Sequence, residues 1–403
     1  MTDHHATPRP DALAWVAGSD APEKNVLELG FMALADSAPL IVAATQGFAQ
    51  PYGLTLNLRR QASWAGLRDK LLGGELDAAQ MLYGQVYGIH LGLGSPITPM
   101  AILMGLNQNG QSITLSQALR AAGVTDGEAL RARTHQGGAR LTLAHTFPTG
   151  THALWLYYWL ASHGIHPLAD VHSVVVPPAQ MVTHLRAGRI DGFCAGDPWG
   201  AHAVDENLGF TVATSQSIWP DHPEKVLGVT RTFAEECPNS ARALTMALLE
   251  ACRFIDASVE NRRSTAQLLS AAEYVNAPVA TLEPRFLGHY QDGLGHAWLD
   301  AHPLRFFADG AVNMPYLSDG IWFLTQLRRW GLLRDDPQYH ELAGQVHQLA
   351  LYREAAGALG IAVPAAMRRS TLQDGRVWDG SDPAGYARSF DLHALAERQK
   401  LAL

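Results

Sequence analysis

Five short polar phrases within the first 230 residues hold the side chains that could do chemistry. They are Ala62-Ser63-Trp64, Asn107-Gln108-Asn109-Gly110-Gln111, Thr146-Phe147-Pro148-Thr149-Gly150-Thr151-His152, Gly192-Phe193-Cys194-Ala195-Gly196-Asp197-Pro198-Trp199 and His222-Pro223-Glu224-Lys225-Val226. Together they supply an indole, an amide, an imidazole, a flexible backbone turn and one ammonium. The indole N–H donates only, and the ammonium adds a compact positive charge. This is the inventory for holding a small flat anion. No strong nucleophile and no closely spaced set of metal ligands accompanies it, so binding is the expectation rather than catalysis.

Each residue also has an ordinary structural explanation. Trp64 could be a core tryptophan, and Gln111 part of amide-rich turn chemistry. Thr149 or Thr151 could cap a helix that places His152 on its first turn. Such a helix start carries free N–H groups and about half a positive charge, which favours an anion. Gly196 could bring backbone close to the cleft, with Pro198 starting the next helix and Asp197 serving as an interlobe or capping acid. Lys225, taken in isolation, would be a solvated lysine.

The elements that must position these residues alternate. Strands are expected at 26–35, 54–58, 77–82, 100–104 and 112–115, with helices at 40–47, 63–72, 84–91 and 116–122. Residues 123–138 look like a connector. A second block has strands at 141–144, 171–176, 192–195, 210–213 and 225–230, and helices at 151–163, 179–187 and 198–206. This alternation predicts an α/β chain with parallel sheets covered by helices on both faces. Periodicity predicts helices within 239–272, 318–330 and 337–358. The organisation expected is lobe I from 26–122 plus 231–330, lobe II from 123–230, a helical C-terminal extension from 331–403, and an N-terminal arm over 1–25. The polar phrases fall at strand ends, where ligands of such folds sit.

The chain has 403 residues, enough for two domains and more, and 47% are hydrophobic. A net charge of −8 argues against a nucleic-acid surface, so any anion must be held by a local site. The N-terminus lacks a basic region followed by an apolar stretch, and Cys194, Cys237 and Cys252 have no CxxC spacing, so a cytoplasmic location is expected. Scattered histidines (His145, His152, His163, His166, His172) lack the acid at useful spacing that a metal site needs.

The same residues carry a likeness. The phrases Leu29-Gly30-Phe31-Met32-Ala33-Leu34-Ala35-Asp36-Ser37-Ala38-Pro39-Leu40, Ala62-Ser63-Trp64, Asn109-Gly110-Gln111, Thr151-His152-Ala153-Leu154, Val176-Pro177-Pro178-Ala179-Gln180-Met181 and His222-Pro223-Glu224-Lys225-Val226 resemble the nitrate- and bicarbonate-binding proteins of ABC transporters. The likeness runs from about residue 26 to beyond 230. It implies a type II periplasmic-binding-protein fold, two lobes with a ligand cleft, and ligand contacts at Trp64, Gln111, His152, Gly196 and Lys225. In the bicarbonate-binding branch the position of Lys225 is an acid that helps hold calcium. Lysine here implies that the anion is neutralised directly, with no metal or cofactor, which favours nitrate, with nitrite close behind. Ser37, Thr149 and Asp197 depart from the usual cysteine, glycine and glutamate.

The absence of an export signal at the N-terminus resembles the cytoplasmic nitrate/nitrite sensor branch. That likeness implies a partner, an antiterminator with an RNA-binding ANTAR domain, sequestered without ligand and released when nitrate or nitrite binds. The alternatives are the substrate-binding component of a nitrate ABC transporter and, less well supported, an enzyme like the thiamine-pyrimidine synthases. The enzymes use a cysteine-rich motif, whereas the middle of this chain offers only Cys194.

Overall fold

The computed structural model describes residues 20–395, so most of the expected N-terminal arm and the last eight residues lie outside the described chain. Ten strands form two five-stranded sheets. The first contains β1 (Val26–Met32), β2 (Thr55–Gln61), β3 (Ala78–Leu82) and β4 (Met100–Gly105). The second contains β5 (Gln111–Ser116), β6 (Thr142–His145), β7 (His172–Val175), β8 (Gly192–Gly196) and β9 (Gly209–Thr214). The last strand, β10 (Lys225–Thr230), returns to the first sheet, giving the orders β2-β1-β3-β10-β4 and β7-β6-β8-β5-β9.

The sheets are mixed, which corrects the all-parallel expectation. β1 runs parallel to β2 and β3, but β10 is antiparallel to both its neighbours. In the second sheet β6 is parallel to β7 and β8, while β5 is antiparallel to β8 and β9. The reversed strands are the ones that follow each crossing between lobes. A crossover helix forces parallel pairing within a lobe, but a strand entering from the other lobe has no such constraint. The crossings therefore lie at 106–110 and 215–224. The lobe limits drawn at 122 and 230 move accordingly, because β5 belongs to the second sheet and β10 to the first.

Local sequence explains the elements that bear the site. Ser63 is extended and its Oγ accepts from the Gly66 N–H at 3.1 Å, capping the helix Trp64–Leu72. The helix Pro238–Asp256 starts with proline at its first position and buries Leu244, Met246, Leu248, Leu249 and Ile255. These side chains share a core with Leu27, Leu29 and Leu103 of the first sheet. Residues 127–135 form a helix capped by Asp126, where a connector was expected. Only Gly127 and Leu130 of it are buried, so its sequence has almost no apolar period.

Residues beyond 330 do more than extend the chain. Ile102 of β4 forms a bridge with His347, and the Gln348 N–H donates to the Ile102 carbonyl at 2.9 Å, so the tail covers an open sheet edge. Trp322, from the helix Leu317–Arg329, stacks on Trp155 at 4.9 Å and lies 5.2 Å from Trp219. The lobes also meet directly. A Cβ on Gly84 would lie 2.2 Å from the Thr149 carbonyl oxygen, so only glycine lets the helix Tyr83–His90 approach that turn. The Trp199 indole donates to the Ala33 carbonyl at 2.9 Å.

Candidate functional site

The five residues singled out from sequence come from five separate elements, and the fold gathers them at the junction of the lobes. Lys225 is the first residue of β10 and is fully buried. Its Nζ lies 5.8 Å from the centre of the Trp64 ring. Gly196 ends β8 and pairs in register with Gln111, the first residue of β5. A Cβ on Gly196 would stand 3.6 Å from His152 Nε2 and 3.3 Å from Asp36 Oδ2. Asp36 Oδ2 in turn lies 2.9 Å from Lys225 Nζ. Trp64, Gln111 and His152 are each at most 1% exposed.

Three of these side chains keep buried polar atoms without a protein partner: Trp64 Nε1, both amide atoms of Gln111, and His152 Nε2. A buried donor left unmatched costs about 1–3 kcal/mol, so unmatched donors on neighbouring elements make this junction a candidate binding position. The neighbouring amides are committed elsewhere. Asn107 Oδ1 accepts from the Lys225 N–H at 3.1 Å, and Asn109, at φ 62°, donates to the Pro303 carbonyl at 2.9 Å. Gln111 keeps both atoms of its side-chain amide unpartnered, whereas Asn109 keeps only Oδ1.

His152 sits on the first turn of the helix Thr151–Ser162, with Nδ1 2.6 Å from Thr146 Oγ1. With the Thr146 hydroxyl donating to Nδ1, Nε2 carries the proton and faces the site as a donor. Burial, reinforced by the Lys225 charge, holds the His152 pKa well below its ordinary value, so the ring is neutral. Thr149 and Thr151 do not cap this helix. Gly150 is the N-cap and no side chain bonds there. Thr151 Oγ1 instead donates to Glu224 Oε1 at 2.6 Å.

The largest departure from the sequence reading concerns charge. Lys225 was expected to face uncharged donors as a lone cation. It lies 2.6 Å from Glu224 Oε1 as well as 2.9 Å from Asp36 Oδ2. Glu224 precedes β10, outside the alternation of the strand, so its side chain can reach the same side as Lys225. Glu224 also accepts from the Trp155 indole at 3.1 Å. Burial alone would lower the Lys225 pKa, but the two carboxylates outweigh it and raise it above the usual lysine value. Burial raises the Asp36 carboxyl, against the pull of Lys225, to about 6.

Asp36, Glu224, Gln80 and Thr146 were missed as site residues. Asp36 and Glu224 stood inside the quoted phrases, but an anion site discourages reading acids as part of it. Asp197, read as an interlobe acid, pairs with Arg285 at 3.1 Å while its carbonyl accepts from the Ala35 N–H at 2.8 Å. Among the described residues no group of three His, Cys, Asp or Glu side chains is placed to hold a metal ion, and no helix is long and apolar enough to cross a membrane.

Residues 20–270 match the NMT1-like family. The nitrate/nitrite binding protein NrtA of Nostoc sp. (strain PCC 7120) is 36% identical over 94% of this chain and 88% of its own length. The nitrate import ATP-binding protein NrtC of Synechocystis sp. is 38% identical over 93% of this chain, which spans only 57% of that protein. The crystal structure of the periplasmic nitrate-binding protein NrtA from Synechocystis PCC 6803 superposes with a TM-score of 0.88 at 35% identity, covering 92% of this chain and all of that one. The architecture is thus the α/β periplasmic-binding-protein fold, two lobes around a cleft.

Proposed function

This chain belongs to the NMT1-like family, within its nitrate- and bicarbonate-binding members, and from that premise we propose that it binds nitrate or nitrite at the Trp64–Gln111–His152–Gly196–Lys225 junction, as the substrate-binding component of a nitrate ABC transporter. It is a binding protein and not an enzyme. One observation carries the reading. The donor atoms of Trp64, Gln111 and His152 are buried and unmatched around the single ammonium of the cluster. A planar oxyanion, which only accepts hydrogen bonds, satisfies all of them at once. The Lys225 ammonium stands between Asp36 and Glu224, the two carboxylates of the cluster that a divalent cation would need, which supports nitrate over bicarbonate with calcium.

Transport is favoured over sensing because the relatives include a nitrate/nitrite binding protein, a periplasmic nitrate-binding protein and a nitrate import protein. The sensor reading, with a cytoplasmic location and an ANTAR-domain antiterminator as partner, is the rival. Calorimetric titration with nitrate, nitrite, bicarbonate plus calcium, and sulfate tests the binding. Saturable one-to-one heat with nitrate or nitrite is expected, and its absence for both defeats the reading. Gel filtration with an ANTAR antiterminator, with and without nitrate, separates the rivals. A complex that nitrate dissolves would favour the sensor.

A further inference from the structure

The cluster at the junction is short of positive charge. One ammonium, Lys225, faces two carboxylates, Asp36 and Glu224. Asp197, the other acid acting on Asp36, is balanced by Arg285. The remaining titratable groups around the cluster stay neutral. Burial holds His152 well below its ordinary value and His145 and His222 at about 4, and it raises the Cys194 thiol well above its own. With both carboxylates ionised the site carries one negative charge, and a monovalent anion would enter against it.

The two acids are not equivalent. Glu224 is held by three donors, Thr151 Oγ1, Trp155 Nε1 and Lys225 Nζ. Asp36 has two partners, one on each oxygen. Its Oδ1 accepts from Gln80 Nε2, whose orientation is fixed because Gln80 Oε1 takes the Met32 N–H at 2.9 Å. Its Oδ2 meets only Lys225 among the described residues and lies on the Gly196 and His152 side of the cluster.

We propose that Asp36 is the proton-carrying ligand of this site: the oxyanion enters together with one proton, which resides on Asp36 Oδ2 and is donated in a hydrogen bond to the anion. The inference rests on the anion-binding reading of the same site. A protonated Oδ2 still accepts from Lys225, so the ammonium is released to the anion without losing its place. The proton is taken from the buffer acid in the solvent, which is left as its conjugate base, and the site passes from one negative charge before binding to one negative charge after it. Burial raises Asp36 to about 6, so near neutrality the carboxyl is ionised before binding, and an adjacent anion raises it further. Linkage then makes the apparent affinity fall about tenfold for each pH unit above that value, until the value of the complex is reached.

The test is calorimetric titration of the full chain with sodium nitrate from pH 5.5 to 8, each pH in two buffers of different ionisation enthalpy. Close to one proton taken up per nitrate at pH 7.5, and a dissociation constant weakening about tenfold between pH 6.5 and 7.5, is the expected result. Asp36→Asn, whose amide reproduces the donor, should bind nitrate with no proton uptake and no pH dependence. Nitrate binding with a flat pH profile and no proton uptake in the unaltered protein overturns the proposal and leaves the anion reading standing. Proton uptake persisting in Asp36→Asn overturns it by assigning the proton elsewhere. If neither nitrate nor nitrite binds at any pH, the anion reading falls and takes this inference with it. Should Asp36→Asn fail to fold, Asp36→Ser, which also lacks the titrating carboxyl, takes its place in the same titration.

Discussion

Replacing Lys225 by methionine keeps the volume of the side chain and deletes its charge. Asp36 and Glu224 are then left buried, at 2% and 0% exposure, without their shared cation. Breaking a buried ion pair by removing one partner costs about 3–5 kcal/mol. Glu224 retains Thr151 and Trp155 as donors, whereas Asp36 retains only Gln80, so Asp36 bears most of the loss. The sign with pH follows from its direction. The folded-state value of Asp36 is already raised to about 6 and rises further without Lys225. A group raised in the folded state penalises folding above that value, and the penalty fades as pH falls toward the ordinary carboxylate range. At pH 5 the buried Asp36 is protonated in both proteins, so its share of the difference disappears. Urea unfolding followed by tryptophan fluorescence should therefore show a loss of about 3–5 kcal/mol at pH 8 that shrinks to less than half at pH 5. Adding Asp36→Asn to Lys225→Met should recover at least ~2 kcal/mol at pH 8, as expected for residues in direct contact. Equal losses at both pH values, or simple additivity of the two changes, would refute the account of Lys225 as the cation of a buried triad.

Three other perturbations probe separate parts of the junction. Trp64→Phe keeps the ring and deletes the unmatched indole donor, so nitrate affinity should drop about tenfold in calorimetry, while unchanged affinity would place that N–H outside the site. Gly196→Ala sets a methyl group 3.3 Å from Asp36 Oδ2 and Leu34 Cδ2 and 3.6 Å from His152 Nε2; binding should weaken at least ~10-fold, and a tight-binding alanine variant would show that the anion lies elsewhere. Arg285→Met strands the buried Asp197 and should lower stability by about 3–5 kcal/mol in thermal unfolding, a loss that Asp197→Asn should partly restore if the pair is what matters.

Several elements were legible because their signals are local. Ser63 capping the helix Trp64–Leu72 and the short apolar run within Lys225–Thr230 can be read from a few neighbouring residues. The direction of β5 and β10 was not legible. It depends on which lobe the chain arrives from, and alternation of strands and helices is silent on that. The helix Gly127–His135 was hidden by its polarity, although Asp126 offered a capping signal. At the junction, residue types only suggested an anion site; the family likeness singled out Trp64, Gln111, His152, Gly196 and Lys225, and neither showed the environment of the lysine. Asp36 reaches Lys225 only through tertiary folding. Glu224 adjoins it in sequence, yet on strand periodicity alone it would have been assigned to the opposite face.

The two crossings between lobes have a mechanical consequence. Gln111 and Lys225 are each the first strand residue after a crossing. The crossings are also stitched together: Gln108 bridges to Pro223, and the Glu224 N–H donates to the Asn107 carbonyl at 3.2 Å. On the proposed binding reading, the grip on an ion and the angle of the joint are therefore set by the same short stretch of backbone. Motion at such a ligand would need no relay to reach the lobes, because the residues proposed to hold it lie at the crossings themselves.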